Sequence, residues 1–236
     1  MKLRILGNNG PYPAPGKACS SYLLTSDSGN TRVLIDCGTG CLNALPEATA
    51  FSDLSAVILS HLHFDHMSDM LPMQYALQFN PRQPLPVYAP ATPEKVRCML
   101  EAPCYDLHSM EDIAIGEMEI SFLPVRHPVE TYAVKVACDG KTFVYTGDTN
   151  EIDTLDGFAQ GADLLLADAG LSKDDWKESS PHLSAEGCGR LAARCSAKAL
   201  LLTHLNPKYS AASHVQEAKS AFENVRFAET GAEYII

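Results

Sequence analysis

A four-layer αββα sandwich of the α/β class is the fold that this 236-residue sequence predicts. Two observations carry the expectation. In each half of the chain a run of strands comes first and alternating strand and helix follow, which builds a sheet covered by helices on one face. No stretch rich in glycine, serine or charge separates the halves, so residues 1–236 read as a single domain with its two sheets face to face.

Short apolar segments at 3–6, 21–25 and 32–35 read as strands joined by turns. The intervening loop 7–16 holds three prolines and three glycines and cannot be regular structure. Its glycines could let backbone approach a bound ligand, and a plain surface turn explains them equally well. Asp36-Cys37-Gly38-Thr39-Gly40 ends the third strand and opens a short helix to about Leu45. The run Ala56-Val57-Ile58-Leu59-Ser60 is short and β-branched, as in a buried strand, and it feeds into a loop, His61-Leu62-His63-Phe64-Asp65-His66.

Behind that loop, Met70, Leu71, Met73, Ala76 and Leu77 trace the apolar face of a helix over 68–78. A Pro-rich loop, 80–86, precedes a strand at 87–89, and Pro93 sits in the first turn of a helix running to about Leu100. Residues 103–116 show no clear period and read as loop with a short strand. The second half has strands at 118–123, 132–138 and 142–145, a helix near 152–159 and a buried strand at 163–167. A helix over 184–195, with Ser184 and Glu186 as capping groups, a strand at 199–203, a helix over 213–222 and one or two last strands complete the pattern.

Hydrophobic residues at 46% and charged residues at 20% are the composition of an ordinary soluble globular protein. No apolar run approaches the roughly 20 residues of a membrane span, and the opening residues turn polar too soon for a signal peptide. The eight cysteines form no Cys-x-x-Cys pair and read as small buried hydrophobes in a reducing cytoplasm. Cys37, Cys41, Cys98, Cys104 and Cys138 could ligate zinc in principle, but their spacing does not favour it. A net charge of -11, with 18 Lys and Arg lying singly, disfavours long RNA as a partner. A small anion drawn to one local positive site is not excluded.

The stretch 61–66 supplies that site. Three imidazoles and a carboxylate within six positions, just past a strand end, are metal ligands by type and density. His61 and His63, two apart on extended chain, can grip one ion; Asp65 and His66, after the chain turns, can face a second. His127, Asp148 and His204 each follow a predicted strand, and strand ends converge at one rim of a sheet.

Together these residues resemble the metallo-β-lactamase-fold hydrolases across essentially the whole chain. Within that fold the sequence is most similar to the ribonuclease Z and cyclic phosphodiesterase branch. Arg126-His127-Pro128, Gly147-Asp148-Thr149, His182-Leu183-Ser184-Ala185-Glu186 and Leu202-Thr203-His204-Leu205-Asn206-Pro207-Lys208-Tyr209 carry the similarity. The resemblance implies that His61, His63 and His127 hold one metal, that Asp65, His66 and His204 hold the other, and that Asp148 bridges them. His63, where the di-iron members have Glu, favours two zinc ions, with Mn2+ or Fe2+ as other occupants. The resemblance also implies homodimers.

Two divalent ions with two ligating carboxylates leave a core of about +2. Such a pair would share a hydroxide as nucleophile and clamp a phosphoryl oxygen. The match to the phosphodiesterase branch makes His182 the general acid, with Asp168 orienting it; a helix cap or turn is the equal alternative for Asp168. The catalytic set expected is therefore Asp65, His182 and Asp168. Lys208 and Tyr209 border the site as phosphate contacts or as structural residues, and His108 and His214 match nothing.

Long-arm ribonuclease Z proteins carry a large insertion between the equivalents of His127 and Asp148. Here only a strand pair and the turn Asp139-Gly140 fit, and Ala167-Asp168-Ala169-Gly170 replaces the branch's His-Glu-Ala-Thr. A phosphodiesterase acting on a small phosphodiester or cyclic nucleotide follows. The alternatives are a carbonyl-directed hydrolase (lactone, thioester or β-lactam), a tRNA 3'-end endoribonuclease, and a non-catalytic metal-stabilised binding module.

Overall fold

The computed structural model describes residues 1–79 and 83–236; positions 80–82, the start of the Pro-rich loop, lie outside it. The first sheet contains β1 (Lys2–Gly7), β2 (Ser21–Thr25), β3 (Arg32–Cys37), β4 (Ala56–Ile58), β5 (Leu85–Tyr88), β6 (Tyr105–His108) and β14 (Glu233–Ile235). The second contains β7 (Ile113–Ile115), β8 (Met118–Pro124), β9 (Tyr132–Cys138), β10 (Lys141–Tyr145), β11 (Leu164–Asp168), β12 (Leu200–Thr203) and β13 (Val225–Phe227). The orders are β14-β1-β2-β3-β4-β5-β6 and β13-β12-β11-β10-β9-β8-β7. In each sheet antiparallel meanders pass into parallel strands, at β3–β4 and at β10–β11. β14 crosses back to pair antiparallel with β1.

Strand alternation sorts the side chains into layers. Val33 and Ile35 of β3 face Val134, Phe143 and Leu166 between the sheets, while Leu34 faces outward. Outside the first sheet lie α1 (Cys41–Ala48), α2 (Phe64–Met67), α3 (Met70–Phe79) and α4 (Glu94–Arg97). Cys41, Leu45, Met67, Met73 and Leu77 pack there against Leu34, Val57 and Val87. Outside the second lie α5 (Asp153–Phe158), α6 (Ala185–Arg194) and α7 (Ala211–Lys219), whose Leu155, Leu191 and Ala218 pack on Leu165, Ala167 and Leu202. Three apolar layers therefore separate four structural ones. Truncating a fully buried core residue such as Leu34 to Ala is expected to cost about 2–5 kcal/mol.

Most elements fall within a residue or two of the sequence expectation, and three differences have physical reasons. Residues 103–116 give two strands, which belong to different sheets: β6 joins β5 in parallel and β7 joins β8 antiparallel. Pairing defines them, so their own sequence shows no period. The helix expected after Pro93 is one turn, Glu94–Arg97, continued by a 3-10 turn at Cys98–Leu100, with Pro93 as its cap. The second half of the His-rich stretch is helix: Phe64–Met67 forms one turn, with Asp65 in it where the positive helix end favours an acid.

Ser184 caps α6 by accepting the Gly187 N–H, a contact worth about 1 kcal/mol. No helix among the described residues is long and apolar enough to cross a membrane. All eight cysteines are free thiols.

Candidate metal centre

Every residue singled out for the site lies at one rim. His61 follows β4, His127 follows β8, Asp148 follows β10, Asp168 ends β11 and His204 follows β12. Because β10, β11 and β12 are neighbours, the residues beyond their ends are neighbours too.

One group comprises His61, His63 and His127. His63 Nδ1 is 3.1 Å from His61 Nε2 and 3.1 Å from His127 Nε2. Two nitrogens on a tetrahedral zinc ion sit ~3.3 Å apart, so this spacing fits a cation held among three rings. A second group comprises Asp65, His66 and His204. Asp65 Oδ2 lies 3.5 Å from His66 Nε2 and 3.8 Å from His204 Nε2. Asp148 sits between the groups, with Oδ2 3.7 Å from His61 Nε2 and 3.3 Å from His66 Nε2.

Asp65 Oδ2, His66 Nε2, Asp148 Oδ1 and His204 Nε2 are buried and have no hydrogen-bond partner among the described residues. Buried polar atoms are rarely left unpaired, and four converging in one place fit metal ligation. Protonation agrees. Burial, reinforced by the neighbouring imidazoles, holds His61 and His63 below the usual histidine range; burial also lowers His204. Neutral rings offer the lone pairs a cation needs. Burial would also lower His66, but the carboxylates of Asp148, Asp65 and Asp36 outweigh it and raise that ring well above the usual range. Burial works to raise Asp148, and the surrounding imidazoles hold it well below the carboxylate range instead.

The candidate ligands are oriented from behind. Asp36, fully buried, was missed by the sequence reading except as a strand end. Its Oδ1 accepts the Ser60 N–H at 2.7 Å, and its Oδ2 accepts from the Ser60 hydroxyl at 2.9 Å and the Tyr145 hydroxyl at 3.1 Å. His66 Nδ1 lies 2.8 Å from the same Oδ2, which leaves Nε2 directed at the rim. Ser60 Oγ sits 3.1 Å from His61 Nδ1, and the Pro181 carbonyl 3.0 Å from His127 Nδ1. Asp36 and His204 both have positive φ, 56° and 58°, a strained conformation that surrounding contacts must hold. Gly10 meets the need that sequence left open in the loop 7–16. A Cβ there would fall 2.0 Å from His204 Cε1, so the glycine permits backbone against a histidine ring.

His182 stands beside the second group, its ring stacked on that of His204 at 5.0 Å between centroids. Its Nδ1 is 2.9 Å from Asp168 Oδ2 and 3.8 Å from Asp148 Oδ2. Burial would lower its pKa, but the charge and hydrogen bond of Asp168 prevail and raise it to about 9. Asp168 also holds a turn, for Oδ1 accepts the Gly170 N–H and Oδ2 the Thr149 N–H. Lys208 and Tyr209 both bond Asp175, Lys208 Nζ at 3.1 Å. His108 pairs with Asp106 at 3.0 Å and stacks on Tyr88, and neither it nor His214, which is buried, belongs to a ligand group.

Residues 31–205 match the family model described as Beta-lactamase superfamily domain. The chain is 32% identical to the probable metallo-hydrolase YhfI of Bacillus subtilis over 98% of both sequences. The crystal structure of that protein superposes with a TM-score of 0.93 over 99% of both chains. Ribonuclease Z of Archaeoglobus fulgidus is 26% identical over 97% of this chain and 95% of its own. Human tRNase Z, short form, shares the fold, with a TM-score of 0.83 and 19% identity over 100% of this chain and 99% of that one.

Proposed function

The chain belongs to the β-lactamase superfamily, and from that premise we propose that it is a dinuclear phosphodiesterase for small phosphodiesters. His61, His63 and His127 would hold one divalent ion, Asp65, His66 and His204 the other, and Asp148 would serve both. Zinc suits this nitrogen-rich set. The chemistry that such ions supply is polarisation of a phosphoryl oxygen and activation of a water near neutral pH.

The observation that carries the phosphodiesterase reading is the His182–Asp168 pair beside that cage. An alkoxide leaving from phosphorus needs a proton. Asp168 takes the Nδ1–H of His182, fixes the ring's orientation and favours its protonated form, so Nε2 holds a transferable proton. The attacking water gives a proton to solvent as its oxygen bonds to phosphorus, the P–O bond to the leaving group breaks, and the Nε2 proton goes to the departing oxygen; solvent then reprotonates His182. The products are a phosphomonoester and an alcohol. A thioester, whose thiolate is a good leaving group, has less need of such a donor. The ribonuclease named among the relatives supports chemistry at a phosphodiester.

Substrate size is read from the β9–β10 hairpin, which closes at once through Asp139 and Gly140, with φ 56° and 68°. That turn leaves nothing there to grip a folded RNA. Zinc-loaded protein is expected to hydrolyse bis(p-nitrophenyl) phosphate, with chelation and Asp148→Ala each abolishing turnover. Fully loaded protein that turns over no phosphodiester would overturn the proposal.

A further inference from the structure

His182 rides on a segment, 172–183, that has no helix or strand to hold it and is mostly exposed. A single bridge, Leu171 to Ser184, closes its base. Lys208 and Tyr209 on Asp175, Arg126 on the Glu178 carbonyl and the Pro181 carbonyl at His127 hold parts of its far side. One buried side chain from across the rim, Asn150, 1% exposed, gathers three of its carbonyls and its indole. The Asn150 amide uses its two ends in opposite senses. Nδ2 donates toward the carbonyls of Lys177 at 3.3 Å, Glu178 at 3.0 Å and Ser180 at 2.7 Å. Oδ1 accepts the Trp176 indole N–H at 2.9 Å and the Glu151 backbone N–H at 2.7 Å.

The backbone of Asn150 belongs to the other side of the site. It lies two residues past Asp148, and its N–H bonds the Arg126 carbonyl, next to His127, at 3.1 Å. We propose that Asn150 is a positioning residue that ties the chain segments bearing Asp148 and His127 to the loop bearing His182, and so sets the proton donor against the leaving group. The inference rests on His182 being the general acid. Only a primary amide of this length fits. An Asp would turn an oxygen toward three carbonyl oxygens, and an apolar residue would take the amide from the Ser180 carbonyl and the Trp176 indole N–H, while the Lys177 and Glu178 carbonyls keep the Ser180 N–H and Arg126.

The test uses zinc-loaded protein with Asn150→Leu, close in volume but without the amide, and His182→Asn. Trp176 is the only tryptophan in the sequence, so its emission reads the loop directly. Asn150→Leu is expected to shift that emission to the red and speed hydrogen exchange across 176–182, with zinc content unchanged. It should slow a diester with an alkoxide leaving group by about tenfold or more, while bis(p-nitrophenyl) phosphate, which needs little proton transfer, changes less than about threefold. The double variant should hydrolyse the alkoxide diester no more slowly than His182→Asn alone. Unchanged emission and exchange, equal slowing of both substrates, or additive losses would overturn the proposal. Equal slowing of both substrates by His182→Asn itself would instead remove the general acid, while the emission and exchange results still decide what Asn150 holds. Should Asn150→Leu fail to fold, Trp176→Phe deletes one donor to the same amide and carries the exchange and leaving-group tests.

Discussion

Asp168 Oδ2 receives two groups at once, His182 Nδ1 at 2.9 Å and the Thr149 N–H at 3.0 Å, one residue past Asp148. The carboxylate is therefore fixed by the metal-binding side of the site before it acts on the histidine. His182→Ala is expected to lower turnover of a poor-leaving-group diester by about 10²-fold or more and to leave zinc content intact. Asp168→Asn, which alters the ring's hydrogen bond, should cost about 10–100-fold on the same substrate. Steady-state rates with metal analysis check both; loss of zinc in His182→Ala would make that residue a ligand instead.

Asp36 is the orienting group behind His66 and, through Ser60, behind His61. Asp36→Asn retains a residue that tolerates positive φ but puts an amide where one oxygen serves three donors. Zinc affinity is expected to fall by about 10–100-fold, read by competition with a chromogenic chelator. An unchanged affinity would reduce Asp36 to a packing residue.

His214 gives the fold its own pH dependence. Burial lowers its pKa to about 4, against a smaller opposing influence of the Ala169 backbone. Between that value and the ordinary histidine value the unfolded chain binds a proton that the folded chain refuses. Stability from this residue is thus complete above pH ~6.5 and declines as pH falls toward ~4, by about 2 kcal/mol at pH 5. Urea unfolding at pH 7 and pH 5 should show a smaller difference in His214→Gln than in the parent protein. An identical difference in both would assign the loss to other groups.

The candidate ligands were legible because each has a ligating side chain at the end of an apolar strand, and the topology brings those ends together. Asp36 was not, because its partners lie 30 residues away at His66 and 109 away at Tyr145. Its one local signal is an acid closing a buried strand, Arg32–Cys37, just before a glycine. Asn150 was hidden for the same reason: its contacts with 176–180 exist only after the loop folds across the rim. The boundary at 103–116 escaped because β6 and β7 owe their existence to neighbours in separate sheets.

The proposal that seven side chains form a cage for two cations is tested most directly by anomalous diffraction at the zinc edge from zinc-loaded crystals. Two peaks are predicted, one among His61, His63 and His127, the other among Asp65, His66 and His204, with Asp148 between them. A lone peak, or a peak bound by His182 and Asp168, would contradict the account.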